Sequence, residues 1–160
     1  MDWFAAVLKL AHVAIAFALV AGLLGRWILL SRAARADDVE ESARLAEAAT
    51  PFERMVIPAG PAVVVAGLLT AWAQGYPWLG LTTGWMVLAV LLVVPMVVVV
   101  PLIFIPRGRI FEAAMADARA QGVVTPGLRA AWDDRAVAFA RRYELVGTAL
   151  IIALMVLKPF

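Results

Sequence analysis

The chain has 160 residues, 64% of them apolar and only 16% charged, with 14 basic residues against 12 acidic. Soluble domains average ~45–50% apolar and ~25% charged, so an ordinary cytosolic enzyme and a disordered tail are both excluded. There is no cysteine, which removes thiol catalysis, thiolate zinc sites, iron–sulfur clusters and a disulfide scaffold.

Crossing a hydrocarbon core about 30 Å thick takes about 20 mostly apolar residues in helix. The first such segment covers about 3–30 and is interrupted only by Lys9, His12 and Arg26. Its Met-Asp-Trp-Phe opening is acidic where a secretory signal is basic, so this span is expected to be retained rather than cleaved. In the charged link that follows, 31–54, Asp37-Asp38 and then Glu41 read as a helix start, with Glu40 and Arg44 an i,i+4 pair. The second span, about 56–72, contains Pro58 and Pro61. An uncharged loop, 75–84, leads to the third span at about 85–105, with prolines at 95, 101 and 106. These prolines predict bends, since each removes a backbone donor; kinks that open a cavity are the alternative. In the second charged link, 106–136, Thr125-Pro126 reads as a cap followed by proline at the first helical position. From there a helix is expected to run unbroken into the fourth span, about 137–157. Unalternating runs such as Val97-Val98-Val99-Val100 exclude a barrel. The expected fold is therefore all-α, a four-transmembrane-helix bundle forming one integral membrane domain with helical cytoplasmic connections.

Charge placement orients the bundle. Of the basic residues only Lys9 and Lys158 lie toward the side of the neutral loop; the arginines crowd the other side. The positive-inside rule puts that crowd in the cytoplasm and both termini outside, as expected for a bacterial inner-membrane protein. Trp3, Trp72, Trp78, Trp85 and Phe160 fall at the outer boundary, and Trp27 and Trp132 at the inner one, as an aromatic belt requires.

Ionisable residues inside spans are functional candidates by default. Here they are Lys9, His12, Arg26, Arg141, Arg142 and Glu144. His12 is the sole histidine, Lys9 sits one turn outward, and Ala11, Ala14, Ala18, Gly22 and Gly25 form a small-residue stripe suited to close helix packing. A neutral imidazole facing the bundle can ligate haem iron, with Lys9 neutralising a propionate. The structural alternative is a histidine hydrogen-bonded to a neighbouring helix beside a snorkelling lysine. A single histidine leaves a haem either five-coordinate or reliant on Met86, Met96 or a second subunit. Toward the inner interface, Glu144 can pair with Arg26 or Arg142, and Glu53 is a further partner; headgroup contact and a proton or anion path are alternatives. Ser31 and Ser42, the only serines, lie away from His12, so no catalytic triad is expected. The arginines are interleaved with acids, which excludes nucleic-acid recognition.

The segment Leu8-Lys9-Leu10-Ala11-His12, with Gly22 and Arg26 after it, resembles the first helix of a bacterial superfamily of small membrane proteins. That group includes copper-resistance protein D domains and the HemJ-type protoporphyrinogen oxidase, which share a Lys-x-x-His opening and a later glycine. Nearly the whole chain is similar to a family of four-helix integral membrane proteins. Shared features are the charged link, the Gly-Leu-Leu-Thr end of span two (67–70) and Trp85 opening span three. The resemblance implies haem b on His12, preceded by Lys9, and, for the enzyme, protoporphyrinogen oxidation. The enzyme's third helix carries basic residues, whereas 85–105 has none. His12 and Met96 make a poor soft-ligand set for Cu(I).

Three classes of function follow. The first is a non-enzymatic accessory or oligomerising subunit, partnered by the bilayer and by itself or a larger membrane complex. The second is a haem-b-binding or redox-associated protein using His12. The third is a small-solute or metal transporter.

Overall fold

Backbone N–H and C=O groups that meet no water must bond within their own segment, and helix is the structure that does this without neighbours. The computed structural model, which describes residues 3–159, is accordingly 88% helix, with no strand among the described residues. Helix α1 (Trp3–Ala33) turns tightly at 34–38 into α2 (Val39–Ala73), and the two pack along their length as an antiparallel hairpin. A short 3-10 turn (Pro77–Gly80) leads to α3 (Gly84–Val99), a π turn (Val100–Phe104) and α4 (Ile105–Gln121), which together form one long rod. A short α5 (Pro126–Trp132) reverses the chain, and α6 (Arg135–Leu157) returns to pack on α3. The fold is thus two hairpins with sparser contact between them.

Three helical stretches, Trp3–Ala33, Val39–Ala73 and Gly84–Gln121, are long and apolar enough to cross a membrane. At 1.5 Å per residue the 31 residues of α1 extend about 46 Å, more than a hydrocarbon core needs. The 23-residue α6 is shorter and carries Arg141, Arg142 and Glu144 in its first half. The expected four spans thus meet three helices with a stretch long and apolar enough to cross a membrane and a fourth of mixed character.

Side-chain caps start α2, α5 and α6. The Asp38 carboxylate accepts from the Glu41 N–H at 2.9 Å, and the Thr125 hydroxyl accepts from the Leu128 N–H at 3.2 Å. The expected continuous helix from Pro126 into the fourth span does not form. Asp134 interrupts it, because its carboxylate accepts from the N–H groups of Ala136 and Val137 and so starts a new helix at Arg135. The Glu40–Arg44 ion pair also fails to form; the Arg44 Nε–H donates to the Glu40 carbonyl, and the Glu40 carboxylate faces Arg119 at 3.7 Å.

The prolines act unequally. Helix α2 remains helical through Pro51, Pro58 and Pro61. Pro101 instead has no N–H to give the Val97 carbonyl, and the chain widens into a π turn in which the Ile105 N–H donates to Val100. The aromatic belt is only partly lipid-facing. Trp3, Trp27, Trp72 and Trp78 are exposed, Trp85 is buried against Tyr76, Trp132 packs edge-on to Phe111, and Phe160 lies outside the described residues.

A core of soluble-protein type joins the start of α2, the end of α4 and α5 through Val39, Ala43, Met115, Ala118 and Leu128. Elsewhere the helices expose large apolar side chains such as Leu10, Phe17, Leu91 and Leu102. Close contact between α1 and α2 depends on two glycines. A Cβ on Gly22 would lie 2.6 Å from Val56 Cγ2 and 3.3 Å from the Phe52 carbonyl, and one on Gly25 would strike the Phe52 ring. Ala18 is half-buried, whereas Ala11 and Ala14 are exposed, so the tight part of the small-residue stripe is its glycine end.

Gly22→Leu is expected to destabilise the purified protein by about 1–3 kcal/mol through overpacking, read as a lower melting temperature in detergent. Gly60→Ala, where an added Cβ meets nothing within 4 Å, should leave the melting temperature level or raise it. Equal melting of the two variants would contradict this hairpin geometry.

Candidate functional site

The residues singled out in the sequence fall into two places. The first is the contact between α1 and α2 around His12, which is half-buried. His12 Nδ1 lies 3.0 Å from the Val63 carbonyl oxygen. A carbonyl can only accept, so Nδ1 carries the proton and Nε2 keeps its lone pair. Nε2 makes no hydrogen bond among the described residues. Gly67 lies four residues after Val63, so its N–H bonds to the same carbonyl along the helix. A Cβ on Gly67 would stand 3.0 Å from His12 Cε1 and 3.4 Å from Nδ1. Gly67 therefore provides the seat that lets an imidazole from α1 reach the α2 backbone. Lys9, one turn away, is exposed and has no ion pair among the described residues. Of the two methionines considered as second ligands, Met86 packs at Gly80 and Met96 at Gly147.

The second place is a cleft of about 1200 Å³ between the two hairpins. Leu19, Leu23 and Arg26 of α1, Glu53 and Val56 of α2, and Arg141 and Glu144 of α6 all face it. On α6 the lining positions 137, 141, 144 and 148 form one helical stripe. Glu144, 4% exposed, forms an ion pair with Arg26, joining α6 to α1. The Arg26 guanidinium also lies over the Phe104 ring, 5.0 Å from its centre, in cation–π contact. The π turn contributes Phe104, Val100 and Pro101 to the same wall.

The expected alternative partner, Arg142, is exposed and stands outside the cleft; its neighbour Arg141 lines it instead. Helical spacing distinguishes them: residues three apart share a face, and residues two apart do not. Arg141 is half-buried and has no ion pair or hydrogen bond among the described residues. Trp132 also lines the cleft, and its buried Nε1–H has no partner among the described residues. The arginine-rich end is closed by pairs between elements: Arg119 to Glu47 at 2.8 Å, Arg107 to Asp134 at 2.9 Å and Arg129 to Asp37 at 3.5 Å. These are mostly exposed and individually contribute little. No group of three or more acidic or histidine side chains with metal-site geometry occurs among the described residues.

The buried pair supports a direct test. Arg26→Leu or Glu144→Leu alone strands a buried charge and should cost about 3–5 kcal/mol. The double variant should recover much of that loss, read as melting temperatures in one detergent. Additive losses in the double variant would show that the pair does not couple the helices.

Comparison with known proteins agrees with this architecture at the level of family. No curated protein and no solved structure matches the chain. A family model described as "Predicted integral membrane protein (DUF2269)" matches residues 6–159, nearly the full length, and the chain belongs to that family of predicted integral membrane proteins.

Proposed function

We propose that this protein crosses the bacterial inner membrane four times and serves as a non-enzymatic accessory or self-associating subunit of a membrane complex. In this reading α6 is the fourth span, since its 23 residues cover about 34 Å, enough for the hydrocarbon core. The turn at 34–38 and residues 106–136 face the cytoplasm with the arginines, and both termini lie outside.

The observation that carries the functional reading is the use made of mid-helix polar groups. His12 ties α1 to the Val63 carbonyl of α2, Tyr143 of α6 donates to the Leu92 carbonyl of α3 at 2.9 Å, and Arg26 holds Glu144. Each links neighbouring helices, as polar side chains do where the hydrophobic effect gives no drive to associate. Groups committed to holding helices together favour assembly over chemistry. After mild solubilisation the protein should run in native mass spectrometry as a multiple of its own mass or with a companion subunit. A lone monomer across all concentrations would overturn the accessory reading.

A second reading has one specific observation in its favour. The hydrogen bond from Nδ1–H of His12 to a carbonyl orients the ring and leaves Nε2 free, which is the arrangement of an imidazole that ligates a metal. Kinship with copper-resistance protein D domains and the HemJ-type oxidase belongs to this reading. His12 would then hold a haem b through Nε2, and haem would supply one-electron chemistry. Protein expressed with ample haem should show a Soret band that His12→Ala abolishes. No band in the wild type, or an unchanged band in His12→Ala, removes haem.

A further inference from the structure

The cleft between the hairpins changes character along its length. Leu19, Leu23, Val56, Val93 and Val97 give one part an aliphatic wall. Arg26, Glu53, Arg141 and Glu144 line the other. Leu19 and Arg26 are seven residues apart, so the two zones are separated by about 10 Å along α1. Arg26 is in turn about 10 Å from the end of α1 at Ala33. The charges therefore sit between the apolar zone and the arginine-rich end, the depth at which a lipid of that leaflet places its head.

Within the charged zone, Glu144 is taken by Arg26, whereas Arg141 is half-buried and unpaired among the described residues. Glu53 lines the same wall without forming an ion pair. Arg141 lies within electrostatic reach of the Glu53 and Glu144 carboxylates but donates a hydrogen bond to neither. Its N–H donors are not taken by those carboxylates, and their planar fork suits the paired oxygens of a phosphate. The volume of about 1200 Å³ exceeds the roughly 300–1,000 Å³ typical of drug-sized ligands, which favours a long-chain occupant over a compact metabolite.

We infer that the cleft binds one acidic phospholipid, its acyl chains against Leu19, Leu23 and Val97 and its phosphate on Arg141. This binding site stands independently of the accessory and haem readings, because neither uses Arg141.

The test is native mass spectrometry of the whole chain in mild detergent, titrated with dioleoyl phosphatidic acid. One lipid per chain is expected to survive desolvation. Arg141→Gln should weaken that binding about tenfold, the loss expected for one charge-assisted hydrogen bond. Arg142→Gln removes the same charge one residue away on the exposed face and should bind like the wild type. Gly60→Phe projects a ring from a cleft-lining position where an added Cβ meets nothing within 4 Å; it should exclude the lipid with Arg141 intact. Dioleoylglycerol, with the same chains and no phosphate, should bind at least about tenfold more weakly for the same reason. Equal binding by Arg141→Gln and Arg142→Gln, or undiminished binding by Gly60→Phe, overturns the site. Oleate binding as tightly as phosphatidic acid overturns the phospholipid assignment, and a dimer that excludes lipid would put a second copy in the cleft. If Arg141→Gln fails to fold, the Gly60→Phe and dioleoylglycerol arms still decide.

Discussion

The ion pair between Arg26 and Glu144 is the contact on which the arrangement of the two hairpins depends. Each hairpin is internally well packed, α1 on α2 through Gly22 and Gly25, and α6 on α3 through Gly147 and the Tyr143 hydrogen bond. Between them the helices touch sparsely, and Arg26 with Glu144 is the polar contact that joins α1 to α6. Removing a carboxylate and a guanidinium from water costs several kcal/mol each, which a close pair recovers only in good geometry. Once Glu144 is buried, any rotation of α6 that separated it from Arg26 would restore that cost. The pair therefore fixes which face of α6 looks into the cleft, and Arg141, one turn earlier on the same stripe, follows.

The chain is built for two solvents, and its packing changes accordingly. At the arginine-rich end, water is present and the molecule behaves like a small soluble protein. Val39, Met115 and Leu128 make a core there, side-chain oxygens cap helices, and ion pairs connect α2 with α4 and α5 with the turn at 34–38. Along the apolar lengths, lipid solvates leucine as readily as leucine does, so burial no longer drives association. Glycines, which admit a neighbouring backbone, and a few polar tethers take over. The same reasoning explains why exposed Phe17 and Leu102 are compatible with a stable family of integral membrane proteins.

Much of this was legible from residues alone, for identifiable reasons. Span length and apolar content are one-dimensional quantities, so three apolar helices could be read directly. The Asp38 and Thr125 caps could be read because capping is local chemistry of three or four consecutive residues. What escaped depends on contacts between distant segments or on competition among local signals. Asp134 follows a proline-started helix and competes with its continuation, and the cap wins because a carboxylate there satisfies two N–H groups at once. Gly67 reads as a small residue near a helix end until His12, 55 positions earlier, is seen against it. Arg141 rather than Arg142 was recoverable from helical spacing, given Glu144 as the buried reference. Nothing in the sequence indicated that the hairpins would stand apart.

That separation follows from the same physics that packs each hairpin. In water, an aliphatic-walled cleft of this size would tend to collapse, because closing it would remove apolar surface from solvent. In a bilayer, acyl chains already satisfy those walls, and closure would gain only what lipid contact gives up. Polar groups then decide the spacing. Arg26 and Glu144 bring the hairpins together at one depth, the Val39–Leu128 core joins them beyond it, and the π turn at Pro101 directs Phe104 onto the pair from the third side. Above that level α1 and α2 make few contacts with α3 and α6. A cleft that is apolar at depth and charged toward the arginine-rich end is therefore the expected outcome of joining two self-sufficient hairpins at one end.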